Sequence, residues 1–238
     1  MSKPSLEVIK TKILDADSPK IRCVKNGVYF TVPESLPRGR HKVPFESIVA
    51  AQRERVLIAV TELLASLGYR NFGVKEIAKR SGVSLQAFYA CYKSKDECVF
   101  AGYNRFIQTL LTHMMTTPLQ GTDRVTLVVN LIGAYLDTLQ KDLVVAKAYQ
   151  VEIDAMGIKA REQRRLSLSL FAKYIENAVL QSAPDKATPR HLNWTAYLGV
   201  VYAARQLASD ALEEKVKPDL GALKKLMVVW LNDLFRLD

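Results

Sequence analysis

From residue 44 onward the apolar residues recur at helical spacing, and no stretch alternates as a half-buried strand does. The run is punctuated near Gly68, Gly82, Lys93, residues 118–121, Gly157, residues 183–189 and Lys217-Pro218, and it shows no internal repeat. This predicts an all-α protein, a chain of helices with short breaks. The opening stretch differs. Leu6, Ile9 and Ile13 share one helical face, and Asn26-Gly27 then separates residues 21–25 from residues 28–32. Asn-Gly between apolar alternations predicts a β-hairpin, with Ile21 and Cys23 facing Val32 and Phe30. So small a ribbon must dock on something to persist. Residues 33–43 carry Pro33, Pro37, Gly39 and the basic run Arg38-Gly39-Arg40-His41-Lys42, and read as an extended arm or linker.

Three divisions follow: residues 1–43 as an extension and basic arm, residues 44–116 as a first helical unit, and residues 117–238 as a second. Charge is shared unequally among them. Of the net +10, residues 1–45 hold nine Lys/Arg against four Asp/Glu, and residues 46–118 hold nine against six. The positive excess therefore sits in the first half, which favours a polyanionic partner there, a solvated basic face being the plainer alternative. No run approaches the roughly 18 apolar residues of a membrane span, and the start lacks a secretory pattern. Cys23, Cys91 and Cys98 show neither an even count nor a C-x-x-C spacing, so a reducing cytoplasm fits and no zinc site is implied.

Within the first unit a helix over residues 44–67 has an apolar stripe of Phe45, Ile48, Val56, Leu57, Val60, Leu64 and Leu67, ended by Gly68. A short helix holding Ile77 and Ala78 precedes the turn Gly82-Val83-Ser84, and residues 85–92 form a third helix. Two helices crossing steeply over so short a turn need a small residue at the contact (Ala78), Gly at the corner and apolar plugs (Ile77, Val83, Phe88). Ser84 can cap the third helix, and Ser94-Lys95-Asp96-Glu97 is a capping box opening a fourth. That pattern is a helix-turn-helix.

The residues Arg53-Glu54-Arg55-Val56-Leu57, Ala59, Gly68-Tyr69, Ile77-Ala78, Gly82-Val83-Ser84, Phe88-Tyr89 and Ser94-Lys95-Asp96 resemble the DNA-binding half of TetR-family repressors, continuously over about residues 53–100. Leu36-Pro37-Arg38-Gly39-Arg40-His41 and residues 98–103 are similar to an actinobacterial subset, while the C-terminal half resembles the family only in helical layout. The resemblance implies a third helix in the major groove, with Ser84, Leu85, Gln86, Ala87 and Tyr89 at the DNA, Lys75 reaching it from the second helix and Lys95 holding a phosphate. Gln86 can pair bidentately with adenine and Ala87 can touch a thymine methyl; Tyr89 and Lys95 suit the backbone. Departures are visible: Gly73 replaces the usual Thr cap, and Gln86-Ala87 the common Gly-Thr. A recognition helix so poor in polar groups needs help, and Arg38 and Arg40 either enter a narrow minor groove or belong to a plain basic linker.

In the second unit the last two helical stretches, residues 189–214 and 218–235, are apolar over more than one stripe, which suits their own core plus a second copy across a two-fold axis. The resemblance implies a homodimer through them, a double-stranded DNA operator and a small, largely apolar effector. Phe106, Met114, Tyr135, Tyr149, Met156, Phe171, Tyr174 and Trp194 are candidate effector-pocket residues, core packing being the plainer reading of such a stripe. Val145, Tyr149, Glu152 and Met156 fall on one face of a predicted helix. A carboxylate there needs a partner, either an internal hydroxyl or guanidinium, with Arg205 one candidate, or the effector itself. His41, His113 and His191 are dispersed and no hydrolase, phosphate-loop or metalloprotease motif occurs, so catalysis, metal and cofactor are not expected. Cys91, near Lys93 and Lys95, is either a packed side chain or a redox-sensitive thiol. The competing function is a helical small-molecule-binding dimer that never touches DNA.

Overall fold

The computed structural model describes residues 21–34, 44–118, 123–182, 193–213 and 218–235. Nine α-helices and two 3-10 turns occur among these residues, with no strand. Helix α1 (Phe45–Leu67) ends at Gly68 and leads through the 3-10 turn Tyr69–Asn71 into α2 (Val74–Ser81), α3 (Leu85–Cys91) and α4 (Lys95–Met115). Behind them stand α5 (Arg124–Lys141), α6 (Leu143–Gln150), the 3-10 turn Glu152–Met156, α7 (Ile158–Ser182), α8 (Trp194–Glu213) and α9 (Leu220–Phe235). The helix starts are chemically marked. Ser84, Ser94, Asp123 and Asp142 each accept a first-turn backbone N–H through a side-chain oxygen, closing donors that the helix leaves open.

Helix α1 is the axle of the molecule. It packs on α2, α3 and α4 on one side and on α6 on the other, while α5 pairs with α9 and α7 with α8. One continuous core results, running from Val56, Val60 and Leu64 through Phe88, Val99 and Leu110 to Leu127 and Leu131. The expected stripe of α1 holds from Val56 onward. Phe45 departs from it at 75% exposed, because the first turns of α1 project past the helices that cover the rest.

Residues 21–34 dock as predicted for a segment too small to stand alone, though the hairpin does not form. Its pairing is a single isolated bridge between Asn26 and Phe30. The reason lies in where the backbone donors go. The N–H of Arg22 donates to Ser66 Oγ (3.2 Å), that of Val24 to Glu62 Oε1 (3.1 Å), that of Lys25 to Asp142 Oδ2 (2.6 Å) and that of Thr31 to Glu54 Oε1 (3.0 Å). Acceptors on α1 and at the start of α6 outcompete a cross-strand ladder. Val32, expected on the same side of the ribbon as Phe30, is exposed, while Val24, Tyr29 and Phe30 are buried. Tyr29 donates its hydroxyl to the Thr138 carbonyl (3.0 Å) and stacks on Phe106 (5.6 Å). The segment thus straps the α1 side of the molecule to α5 and α6. The amphipathic run around Leu6, Ile9 and Ile13 lies outside the described residues.

The predicted single helix through Val145, Tyr149, Glu152 and Met156 is broken at Val151. Beyond it the chain tightens into the Glu152–Met156 turn and reverses at Gly157. Tyr149 and Glu152 therefore face different neighbours.

Candidate nucleic-acid interface and effector cavity

The corner between α2 and α3 is built on Gly82, in the left-handed conformation (φ 69°, ψ 25°), which side chains with a Cβ rarely adopt. Ile77, Ala78 and Phe88 are buried under it, so the two short helices are fixed to α1 rather than to each other alone. Ser84 Oγ accepts the Ala87 N–H (3.1 Å), leaving its hydroxyl proton free to donate outward. Leu85, Gln86 and Tyr89 are exposed on α3 with Ala87 half-buried between them, and Lys75 is exposed on α2. The Tyr89 ring meets Phe88 edge-on (5.3 Å), which holds its base while 56% of the residue faces solvent. An exposed carboxamide, a hydroxyl and apolar surface beside a lysine can read base edges and grip a phosphate backbone.

Lys95 is placed differently from a free surface lysine. Its Nζ donates to the carbonyls of Tyr69 (2.9 Å) and Phe72 (3.0 Å) and lies over both rings, 3.9 and 4.9 Å from their centroids. Burial lowers its pKa. An ammonium has three donors, so one remains for a phosphate while two pin the Tyr69–Asn71 turn to the start of α4. At Gly73 no side chain caps the first-turn N–H groups, and only the reciprocal half of a capping box forms: Glu76 Oε2 accepts the Gly73 N–H (2.8 Å), and that bond holds the carboxyl below its usual range. Arg53 belongs to the resemblance but was given no role by the sequence. It donates to the Cys91 carbonyl (3.0 Å) and covers the Tyr92 ring (4.7 Å), closing the end of α3. Cys91 is buried and its thiol is pushed up by that burial, the reverse of a reactive thiolate, so it is the packed side chain. Arg38 and Arg40 lie outside the described residues; the chain leads toward them from Glu34, whose carbonyl accepts from Arg55 (2.8 Å).

Behind the head, α4 to α8 enclose a cavity of about 30 Å³, room for one or two waters. Phe106, Met114, Tyr135, Tyr149 and Phe171 line it, together with Leu110, Ile132, Leu168, Ile175 and Val201. Four sequence-nominated residues lie elsewhere. Glu152 faces the Gly68 corner, half-buried, its carboxyl raised by desolvation. Met156 packs on the core's edge, Tyr174 turns its hydroxyl to the Met114 carbonyl (3.4 Å), and Trp194 opens α8 partly in solvent. The acid that Arg205 meets is Asp154 (3.0 Å), also paired with Arg164; Glu152 is not its partner. Asp154 was hidden in the sequence because a continuous helix over 145–156 turns it away from that face.

Tyr149 joins the two sites. Its ring forms cavity wall, and its hydroxyl lies 2.8 Å from Thr61 Oγ1 on α1. Thr61 already gives its proton to the Leu57 carbonyl (2.7 Å), so Tyr149 is the donor. The same hydroxyl occupies the space where a Cβ on residue 102 of α4 would stand, which is why that position is glycine.

A capped helix-turn-helix fixed to a long helix, backed by a hollow helical bundle, defines a DNA-binding regulator. Residues 57–101 match the family described as bacterial regulatory proteins, tetR family, so the chain carries a tetR-family DNA-binding domain. No curated protein sequence matches the chain. Among solved structures, it is similar to the fatty acid degradation regulator FadR from Bacillus halodurans, with a TM-score of 0.65 at 18% identity, covering 84% of this chain and 100% of that one. It is similar to a TetR-family transcriptional regulator from Rhodococcus sp., with a TM-score of 0.64 at 15% identity, covering 77% and 98%. FadR from Bacillus subtilis, solved in complex with stearoyl-CoA, gives 0.62 at 17% identity, covering 74% and 96%. These likenesses concern the fold. Among the described residues no helix is long and apolar enough to cross a membrane.

Proposed function

We propose that the protein is a cytoplasmic, homodimeric, one-component transcriptional repressor, released from a two-fold-symmetric operator by a small, largely apolar effector in the cavity between α4 and α8. The observation that carries this reading is Tyr149, at once cavity wall and direct contact of α1 and α4. A ligand that moves the ring moves the helices on which the reading head is mounted. It shifts DNA binding only if it prefers one head spacing over the other. The stearoyl-CoA held by the Bacillus subtilis neighbour supports a ligand-taking bundle in this fold. Exposed Tyr202 and Leu207 on α8, and Leu226, Val229 and Trp230 on α9, support the dimer face. The functional division is a reading head over residues 44–116 and an effector and dimer unit over residues 117–238.

In this reading Ser84, Leu85, Gln86, Ala87 and Tyr89 face the major groove, Lys75 and Lys95 the backbone, and Arg38 and Arg40 the adjoining minor groove. Sequencing the genomic DNA retained by the purified protein gives the operator and tests the class; absence of enriched sites sinks it. Gln86→Ala is expected to cost about 1–3 kcal/mol on the operator while leaving random DNA unchanged. Equal losses on both remove Gln86 from base reading. The arm is tested with Arg38→Ala/Arg40→Ala, because deleting residues 1–43 would also remove the docked strap. If both side chains of each protomer meet DNA, the slope of log affinity against log salt for the dimer falls by roughly four; an unchanged slope makes the segment a linker.

A further inference from the structure

The effector cavity is a slot with one charged end. Tyr103 donates to Ser167 Oγ (3.3 Å) and Tyr174 to the Met114 carbonyl (3.4 Å), so α4 and α7 run side by side in the same sense. The lining follows α4 from Tyr103 to Met114 and α7 from Arg164 to Ile175. Eleven residues of helix rise about 16 Å. Both charged lining residues, Arg164 and Arg205, stand at the Tyr103 end, and the remainder of the slot toward Met114 is apolar.

Those two guanidiniums share one carboxylate. Asp154 Oδ2 accepts from both, while its Oδ1 is buried with no hydrogen-bond partner among the described residues. Arg205 also donates to the Gln150 carbonyl (2.5 Å) and to Gln206 Oε1 (3.3 Å). The end of an apolar slot thus carries a net single positive charge, most shielded from water at Arg205, whose side chain is 12% exposed against 24% for Arg164. A planar carboxylate is the group that a guanidinium fork matches, and one is already in use there.

Resting on the effector reading above, we propose that the effector is an elongate monocarboxylate whose anionic end takes Arg205 and Arg164 from Asp154 while its apolar body parts the side chains along α4 and α7. The present void is too small for such a body, so the slot opens as it fills, with Met114 the adaptable side chain at its far end. Asp154 sits in the Glu152–Met156 turn, which packs on the Tyr69–Asn71 turn that Lys95 holds beneath the head. Releasing Asp154 frees the first of these turns to shift against the second.

The test uses the full-length protein with decanoate, decanol, methyl decanoate and decanoyl-CoA, affinities being read by calorimetry and DNA retention measured in parallel. Decanoate is expected to bind at least about tenfold more tightly than the other three. Arg205→Gln abolishes that preference, Arg205→Lys keeps part of it, and Asp154→Asn, by removing the competing carboxylate, tightens decanoate binding. Circular dichroism confirms that each variant is folded. Equal binding of decanol, binding of the CoA ester alone, no decanoate binding at millimolar concentration, or weaker binding by Asp154→Asn overturns the proposal. If decanol then displaces DNA, the effector reading stands while the carboxylate inference falls.

Discussion

Gly102→Ala is expected to lower the melting temperature by roughly 6–12 °C, because one methyl group must occupy the space of the Tyr149 hydroxyl. The Cβ would also stand 2.8 Å from Tyr149 Cζ, closer than real Cβ contacts come, so the whole ring has to retreat. It has little room to do so. Tyr149 is buried between α1, α4 and α6, with Phe106 and Tyr103 against its ring at 5.6 and 6.3 Å. Retreat also breaks the bond to Thr61, leaving a buried hydroxyl unpaired. The loss is about 3 kcal/mol, at the upper end of what overpacking a core costs. Tyr149→Phe in the same chain removes the oxygen and should restore part of the stability, giving a non-additive double-mutant cycle. Thermal denaturation followed by circular dichroism reads the parent, both single variants and the double variant. A melting temperature unchanged in Gly102→Ala would mean that Tyr149 does not sit against α4 in solution.

The second large effect is on DNA. Phe88→Ala empties the plug beneath the reading helix, where the ring is wholly buried and braced by Tyr89 and Tyr92. Truncating a buried Phe costs about 3–5 kcal/mol. Since α3 has only seven residues, too few to persist without packing, the loss falls first on the head. Operator binding measured by fluorescence anisotropy should disappear. Amide hydrogen exchange should accelerate over residues 74–98 well before it does in α5 to α9. Retained operator affinity would show that α3 is not held by this ring and would remove it as the reading element.

The head was legible in the sequence because its signals are local. Gly82 answers a backbone angle, and Ser84 and Ser94 answer open N–H groups three residues ahead; none of these depends on distant parts of the chain. The failures share the opposite property. Asn26-Gly27 states a turn, but what replaces the hairpin is decided by Glu62, Asp142 and Glu54, between 23 and 117 residues away from the N–H groups they capture. Lys95 looked free until Tyr69 and Phe72 closed around it. Counting residues through Tyr149 to Met156 at helical spacing carried Glu152 to the cavity and Asp154 away from it, and a break at one residue, Val151, instead set Glu152 at the Gly68 corner and turned Asp154 to Arg164 and Arg205. Phe106, Tyr135 and Phe171, nominated through the family resemblance, lie on helices that run on unbroken, and they do line the cavity.

The docked segment of residues 21–34 has a mechanical consequence. Its anchors straddle a seam: Glu62 and Ser66 lie on the axle helix, Asp142 and Thr138 on the far bank, and Arg80 of α2 reaches across to both Glu62 (2.7 Å) and the Cys23 sulfur (3.2 Å). A leash tied on both banks shortens or slackens whenever they slide past each other. Because Arg80 of α2 is tied to both Glu62 and Cys23, a sliding seam would also tilt the head.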